Sequence, residues 1–170
     1  MRIEIQAEHQ LVPQVRTWLD QLSAEAFPPD GLNIEWARSD WHVLVWEGEE
    51  LVSHVEIVER IASVGGQPVK LGGIGGVATK SEWRRRGLAE AAMKAAQAFL
   101  RDRLGVDFGL LICDEKMLPY YGKLGWKLVS RSLWIGQERG KVNFPTPTMI
   151  LPVGKDEWPA GEIDLCGPPW

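Results

Sequence analysis

The chain has 170 residues, 45% of them hydrophobic, with a formal net charge of −4 and a sequence pI near 5.4. That length and apolar content suit one globular domain spanning residues 1–170, and the acidic balance argues against nucleic-acid binding as its main task. Cys113 and Cys166 make neither a disulfide framework nor a zinc-ligand spacing. No apolar run approaches the ~20 residues of a membrane span. The start MRIEIQAEHQ alternates and lacks the apolar centre of a signal peptide. A cytoplasmic protein with no membrane partner and no metal is expected.

Arg2 to Gln6 alternates as a first strand, and Leu11 to Leu22 carries Leu11, Val15, Trp18, Leu19 and Leu22 at helical spacing. Ala24 to Asp40 holds Pro28, Pro29, Asp30, Gly31 and Asn33 and reads as a turn-rich segment. Trp41–Trp46 and Leu51–Ile61 read as a hairpin about Gly48-Glu49-Glu50. Gly65-Gly66-Gln67-Pro68 turns the chain into the next strand. Phe108 to Cys113 is an apolar strand, Met117 to Leu124 a short helix, and Trp126 to Val129 a strand. Thr148 to Val153 is the expected last strand. The Pro- and Gly-rich tail from Lys155 is expected to be irregular, and no internal repeat or second domain is visible.

Leu71 to Leu104 organises the rest. It reads as a glycine-rich strand, then the basic turn Arg84-Arg85-Arg86-Gly87, then a helix with Leu88, Ala92, Ala95, Ala96, Phe99 and Leu100 on one side. Cationic side chains beside the unpaired first amides of a helix suit a phosphate. The Walker and Rossmann glycine spacings are both absent. The turn alone is equally compatible with a solvated structural loop.

The stretch resembles the GNAT N-acetyltransferase superfamily. The turn matches its Arg/Gln-x-x-Gly-x-Gly/Ala pyrophosphate loop through Arg84, Gly87 and Ala89. Gly75-Gly76-Val77-Ala78-Thr79 is similar to its central strand, and Tyr121-Gly122-Lys123-Leu124-Gly125-Trp126 to its Tyr-x-x-x-Gly-Phe/Trp signature. The resemblance implies a single-domain α/β fold with a mixed, mostly antiparallel sheet of about seven strands, splayed at the cofactor, with helices on both faces. It implies acetyl-CoA as co-substrate, bound by Val77, Ala78 and Thr79 and by Arg84, Arg85, Arg86, Gly87, Leu88, Ala89 and Glu90. Val77 N–H would face the thioester carbonyl.

Acyl transfer to an amine also needs an acid for the departing thiolate and a base for the amine. Tyr121 is the expected acid, since a phenol stays protonated at a pH where a thiol has begun to ionise; Tyr120 is its neighbour and competitor. His54 and Glu56 share one face of a strand and are candidate bases. Asp114 and the carboxylate of the last residue are further candidates, and the pair is equally compatible with a satisfied histidine and a solvated glutamate.

From Trp41 to Val129 the chain is similar to aminoglycoside 2'-N-acetyltransferases, and its tail is also similar to nodulation N-acyltransferases. Both act on an amine carried by a sugar. One departure is Gly75, where the aminoglycoside enzymes carry a glutamate assigned to amine deprotonation. Nine tryptophans offer stacking surfaces; Trp36, Trp41 and Trp170 are the candidates at the acceptor site, with Asp40 to pair an ammonium. The expected acceptor is a small-molecule amine, best matched by an amino-sugar antibiotic. A protein-acetylating enzyme and a non-catalytic CoA sensor remain as alternatives, and a homodimer is compatible with the family.

Overall fold

Alternating apolar residues make a long, folded ribbon of strands from the first half of the chain. The computed structural model describes residues 1–28, 31 and 33–170. β1 (Arg2–Ala7) pairs antiparallel with β2 (Trp41–Glu47), which turns at Gly48 (φ +59°) into β3 (Glu50–Val64). β3 then pairs along its length with β4 (Gln67–Thr79). The turn expected at Pro29 and Asp30 lies outside the described residues.

Period-two alternation assigns each face of this ribbon to one helix. α1 (Pro13–Ala26) packs Val15 and Leu19 with Leu44, Trp46 and Leu51. α2 (Leu88–Phe99), continued by a π turn over Leu100–Leu104, packs Leu88, Ala92, Met93 and Ala96 on Val43, Val45, Val55 and Ile57 of the opposite face. Each buried Val, Leu, Ile or Met side chain among these stabilises the fold by about 1.5–3 kcal/mol.

β5 (Phe108–Ile112) runs parallel to β4, and α3 (Leu118–Lys123) leads from it to β6 (Lys127–Val129). The hairpin β7 (Leu133–Gln137) and β8 (Gly140–Asn143) follows, then β9 (Thr148–Pro152), which lies between β5 and β6, and β10 (Ile163–Asp164). The sheet is mixed and mostly antiparallel, its parallel pairings being β4–β5 and β10–β7.

Ten strands form among the described residues, rather than about seven. β7 and β8 are short and half-exposed, with Leu133 and Ile135 their only fully buried alternating pair, too brief a pattern to register in sequence. β10 corrects the irregular tail: Ile163 and Asp164 wedge between β3 and β7, a pairing that only long-range contact can create.

Candidate active site

The site begins where two strands part. β4 and β5 pair from Leu71–Phe108 to Ile74–Leu111 and no further, so the chain beyond Ile74 leaves its neighbour. On its other side β4 slips register against β3: Gly75 faces Glu56 and Ala78 faces His54, which leaves Gly76 and Val77 as a bulge. Gly76 is left-handed (φ +54°), a conformation that costs a residue with a Cβ about 1–2 kcal/mol. A bulge of this kind re-aims backbone N–H groups away from the ladder. The half-buried Val77 therefore sits at the apex of a wedge between β4 and β5.

The basic loop closes one end of that wedge. Gly87 caps α2 in the left-handed region (φ +77°) with no side-chain cap, and Ala91 N–H to Gly87 C=O is the first main-chain bond of the helix. The amides of Leu88, Ala89 and Glu90 thus precede the intrahelical ladder, and a left-handed residue followed by helical ones gathers successive N–H groups on one side. Arg84, Arg85 and Arg86 are exposed around them. Arg84 Nε donates to Thr79 C=O (3.1 Å), and Arg86 stacks over Trp83 at 4.6 Å. Glu90 pairs with Lys94 rather than facing the loop unneutralised (2.7 Å).

A buried polar cluster lies behind the bulge, on the α1 face. The carboxyl of Glu56 presses on the bulge glycine: a Cβ at Gly76 would stand 2.5 Å from Glu56 Cδ. Glu56, His54 and His42 each offer a ligand-type atom within 4.8 Å of the others. His42 Nδ1 and His54 Nε2 are 2.9 Å apart, and His42 Nε2 is 2.6 Å from Glu8 Oε2. Arg16 of α1 hydrogen-bonds Glu8 in turn. Burial, then the charge of His42, pushes His54 down to about 3. Burial pushes Glu56 up, opposed by His42 and a hydrogen bond from Ser39. So His54 is a neutral imidazole at neutral pH, and Glu56 is more basic than an ordinary glutamate carboxylate.

Tyr121 projects from α3 into the larger core cluster with 7% exposure, beside Tyr120 (ring centroids 5.0 Å). Burial first, and then the neighbouring Cys113 and Tyr120, raise its hydroxyl above the ordinary tyrosine value. Such a phenol keeps its proton across the physiological pH range, the state a proton donor needs. Tyr120 is raised by burial and by Glu90, and its hydroxyl is buried with no hydrogen-bond partner among the described residues. Asp114 stands apart from the His54–Glu56 cluster, exposed and paired with Lys116 at 3.1 Å.

The acceptor-side expectations divide. Trp36 keeps half its surface exposed, propped edge-on against Phe144. Trp41 faces α2 instead, edge-to-face with Phe99 and with its Nε1 donating to Glu59, because strand alternation turns it away from His42 and Glu56. Asp40 accepts the Glu59 N–H at 2.7 Å and so ties the loop to β3. Trp170 is a core residue: its ring fills the space over Gly73, Nε1 donates to Leu110 C=O at 3.2 Å, and the Arg60 guanidinium lies over the ring at 5.1 Å. A sugar finds no open ring there.

His42 and Glu8 were missed by the sequence reading. The hairpin register was the available signal, since pairing Leu44 with His54 sets His42 diagonally beside it on the same face.

The Acetyltransferase (GNAT) domain model matches residues 21–129, more than half of the sequence. The chain belongs to the GNAT acetyltransferase family. Among curated relatives it is similar to an aminoglycoside 2'-N-acetyltransferase of Mycolicibacterium fortuitum, 27% identical over 157 residues that cover 89% of this chain and 78% of the relative. Among solved structures it is similar to the GNAT family N-acetyltransferase YhbS of Escherichia coli in complex with CoA (TM-score 0.69, 15% identity, 97% and 90% coverage). It is also similar to a GNAT family acetyltransferase of Brucella melitensis in complex with acetyl-CoA (TM-score 0.64, 18% identity, 95% and 94% coverage). Other matched structures are longer chains, of which this one spans 33%, 38% or 32%.

As a GNAT acetyltransferase the protein is an acetyl-CoA-dependent acyltransferase. Its residues fit that co-substrate: the wedge beyond Ile74 offers an unladdered strand edge, and the α2 N-terminus offers amides ringed by three arginines. Bound acetyl-CoA supplies an acyl group activated as a thioester.

Proposed function

We propose that the protein N-acetylates a small-molecule amine, with an amino sugar of the aminoglycoside class as the acceptor. The observation that carries the reading is the contact of Glu56 with Gly76. The aminoglycoside enzymes hold a glutamate where this chain has Gly75, and here Glu56, paired with Gly75 across the ladder, brings its carboxyl to the neighbouring Gly76. The name of the Mycolicibacterium fortuitum relative supports the same acceptor class. Burial makes Glu56 a better base than an ordinary carboxylate and keeps His54 neutral beside it. Together they accept the proton of the incoming ammonium.

Val77 N–H, at the bulge where β4 slips against β3, donates to the developing oxyanion. Tyr121 supplies the proton to the leaving sulfur. Arg84, Arg85 and Arg86 with the amides of Leu88, Ala89 and Glu90 hold the diphosphate. Trp36 gives the exposed ring on which a sugar stacks, on the same loop as Ser39, which touches Glu56.

Thiol release from acetyl-CoA, measured with separate panels of aminoglycosides, polyamines and peptides, tests the acceptor. Turnover with the aminoglycosides is expected. Turnover with peptides alone would replace the acceptor class, and CoA binding without turnover in any panel would leave a sensor.

A further inference from the structure

Acylation of a protonated amine leaves a proton to dispose of. The C–S bond breaks and the C–N bond forms. Of the two protons that the ammonium gives up, one goes to sulfur and the other must reach solvent. Behind the sheet bulge Glu56 is half-buried and His54 buried, so the second proton needs a route.

Resting on the reading of Glu56 and His54 as the base, we propose that His54, His42 and Glu8 form a proton wire from the acylation site to the surface beside Arg16. The hydrogen-bond polarity follows from its outer end. Burial works against the charge on Glu8, but hydrogen bonds from Arg16 and His42 outweigh it and hold its carboxyl below the ordinary range, so it is an acceptor. With His42 as the neutral imidazole, it donates through Nε2 (2.6 Å), accepts at Nδ1 from His54 Nε2–H (2.9 Å), and leaves the His54 Nδ1 lone pair as the receiving end. The two rings are nearly coplanar, 15° apart with centroids at 5.2 Å, so the nitrogen lone pair and N–H lie in line.

A proton arriving at His54 Nδ1 shifts the Nε2 proton to His42 Nδ1, and the Nε2 proton of His42 to Glu8. No buried imidazolium accumulates. Glu8, with about a third of its side chain exposed, releases the proton to water. The ionisable groups facing the two rings are Glu8 from the turn after β1, Arg16 from α1 and Glu56 from β3. His42 and Glu8 touch no substrate. They are positioning residues that act through His54.

The test uses the full chain with tobramycin as acceptor and the variants His42→Phe and Glu8→Gln, beside Glu56→Gln and His54→Phe. The wire predicts that His42→Phe and Glu8→Gln lower kcat roughly 10- to 100-fold at pH 7, with KM and CoA affinity unchanged. The deficit should shrink above pH 8.5, where the amine arrives neutral. A merely structural role would lower thermal stability and reduce kcat alike at every pH, and would overturn the proposal. Loss of activity in the Glu56 and His54 variants, with kcat within two-fold in the other pair, leaves the base in place and removes the wire. Unchanged kcat in all four removes the base reading itself.

A second measurement needs no acceptor. Long-range ¹H–¹⁵N spectra should show both His42 and His54 protonated at Nε2 only, and Glu8→Gln should disturb the His42 tautomer. A doubly protonated His42, or His54 carrying its proton on Nδ1, reverses the chain and overturns the wire.

Discussion

The carboxyl of Glu56 and the left-handed Gly76 are in van der Waals contact across the β3–β4 pair, with no room for a Cβ between them. Two constraints meet at one glycine. Gly76→Ala should therefore cost stability through strain and displace the carboxyl as well. A total of about 2–3 kcal/mol is expected, a fall in Tm of roughly 5–10 °C for a chain of this size, with kcat reduced at saturating substrate. Gly48→Ala is the comparison. Gly48, in the β2–β3 turn, is also left-handed (φ +59°) but has nothing within 4 Å of a built Cβ, so strain acts alone there and kcat should survive. Calorimetry and steady-state kinetics on the two variants separate these effects.

Tyr121→Phe should lower kcat by roughly 10²–10⁴-fold with little change in CoA affinity, as expected on losing a general acid. Tyr120→Phe, whose hydroxyl makes no hydrogen bond among the described residues, should be nearly silent. Equal losses in the two variants would assign the acid to neither residue.

Replacing Arg84 or Arg86 with alanine should weaken CoA binding about ten-fold, near 1.4 kcal/mol each, and the loss should shrink as salt rises because these side chains are exposed. Isothermal titration at low and high ionic strength reads both effects. Affinity unaltered by either change would move the diphosphate site away from the α2 N-terminus.

Stability should fall as pH drops below the ordinary histidine value. His54 is held neutral down to about 3 in the folded state, while the unfolded chain takes up a proton at about 6.5. Protons therefore favour the unfolded chain between those values. At pH 5 the contribution of this one group amounts to roughly 2 kcal/mol of lost stability. Denaturant melts at pH 7 and pH 5 should show that difference in the parent chain and a smaller one in His54→Asn.

Local signals made the strand, turn and helix of the proposed cofactor site legible. The glycine-rich strand, the basic turn and the amphipathic helix from Leu71 to Leu104 are contiguous, and backbone geometry follows from neighbours in sequence. The short helix that carries Tyr121 was legible for the same reason, just ahead of Gly125 and Trp126. The acceptor half was not. Trp41 and Trp170 look alike as tryptophans, yet strand alternation turns one under α2 and the lack of a Cβ at Gly73 admits the other to the core.

By itself the amino-acid sequence determined the periodicities, the glycines able to adopt left-handed backbone, and the charges at the mouth of α2, because each depends on residues a few positions apart. Only the tertiary structure decided that β4 leaves β5 after Ile74, that Ile163 and Asp164 enter the sheet, and that Glu8, His42 and His54 touch. Those depend on register between distant strands, where a shift of one residue would have turned His42 and Glu56 to the opposite face and left no polar chain behind the bulge.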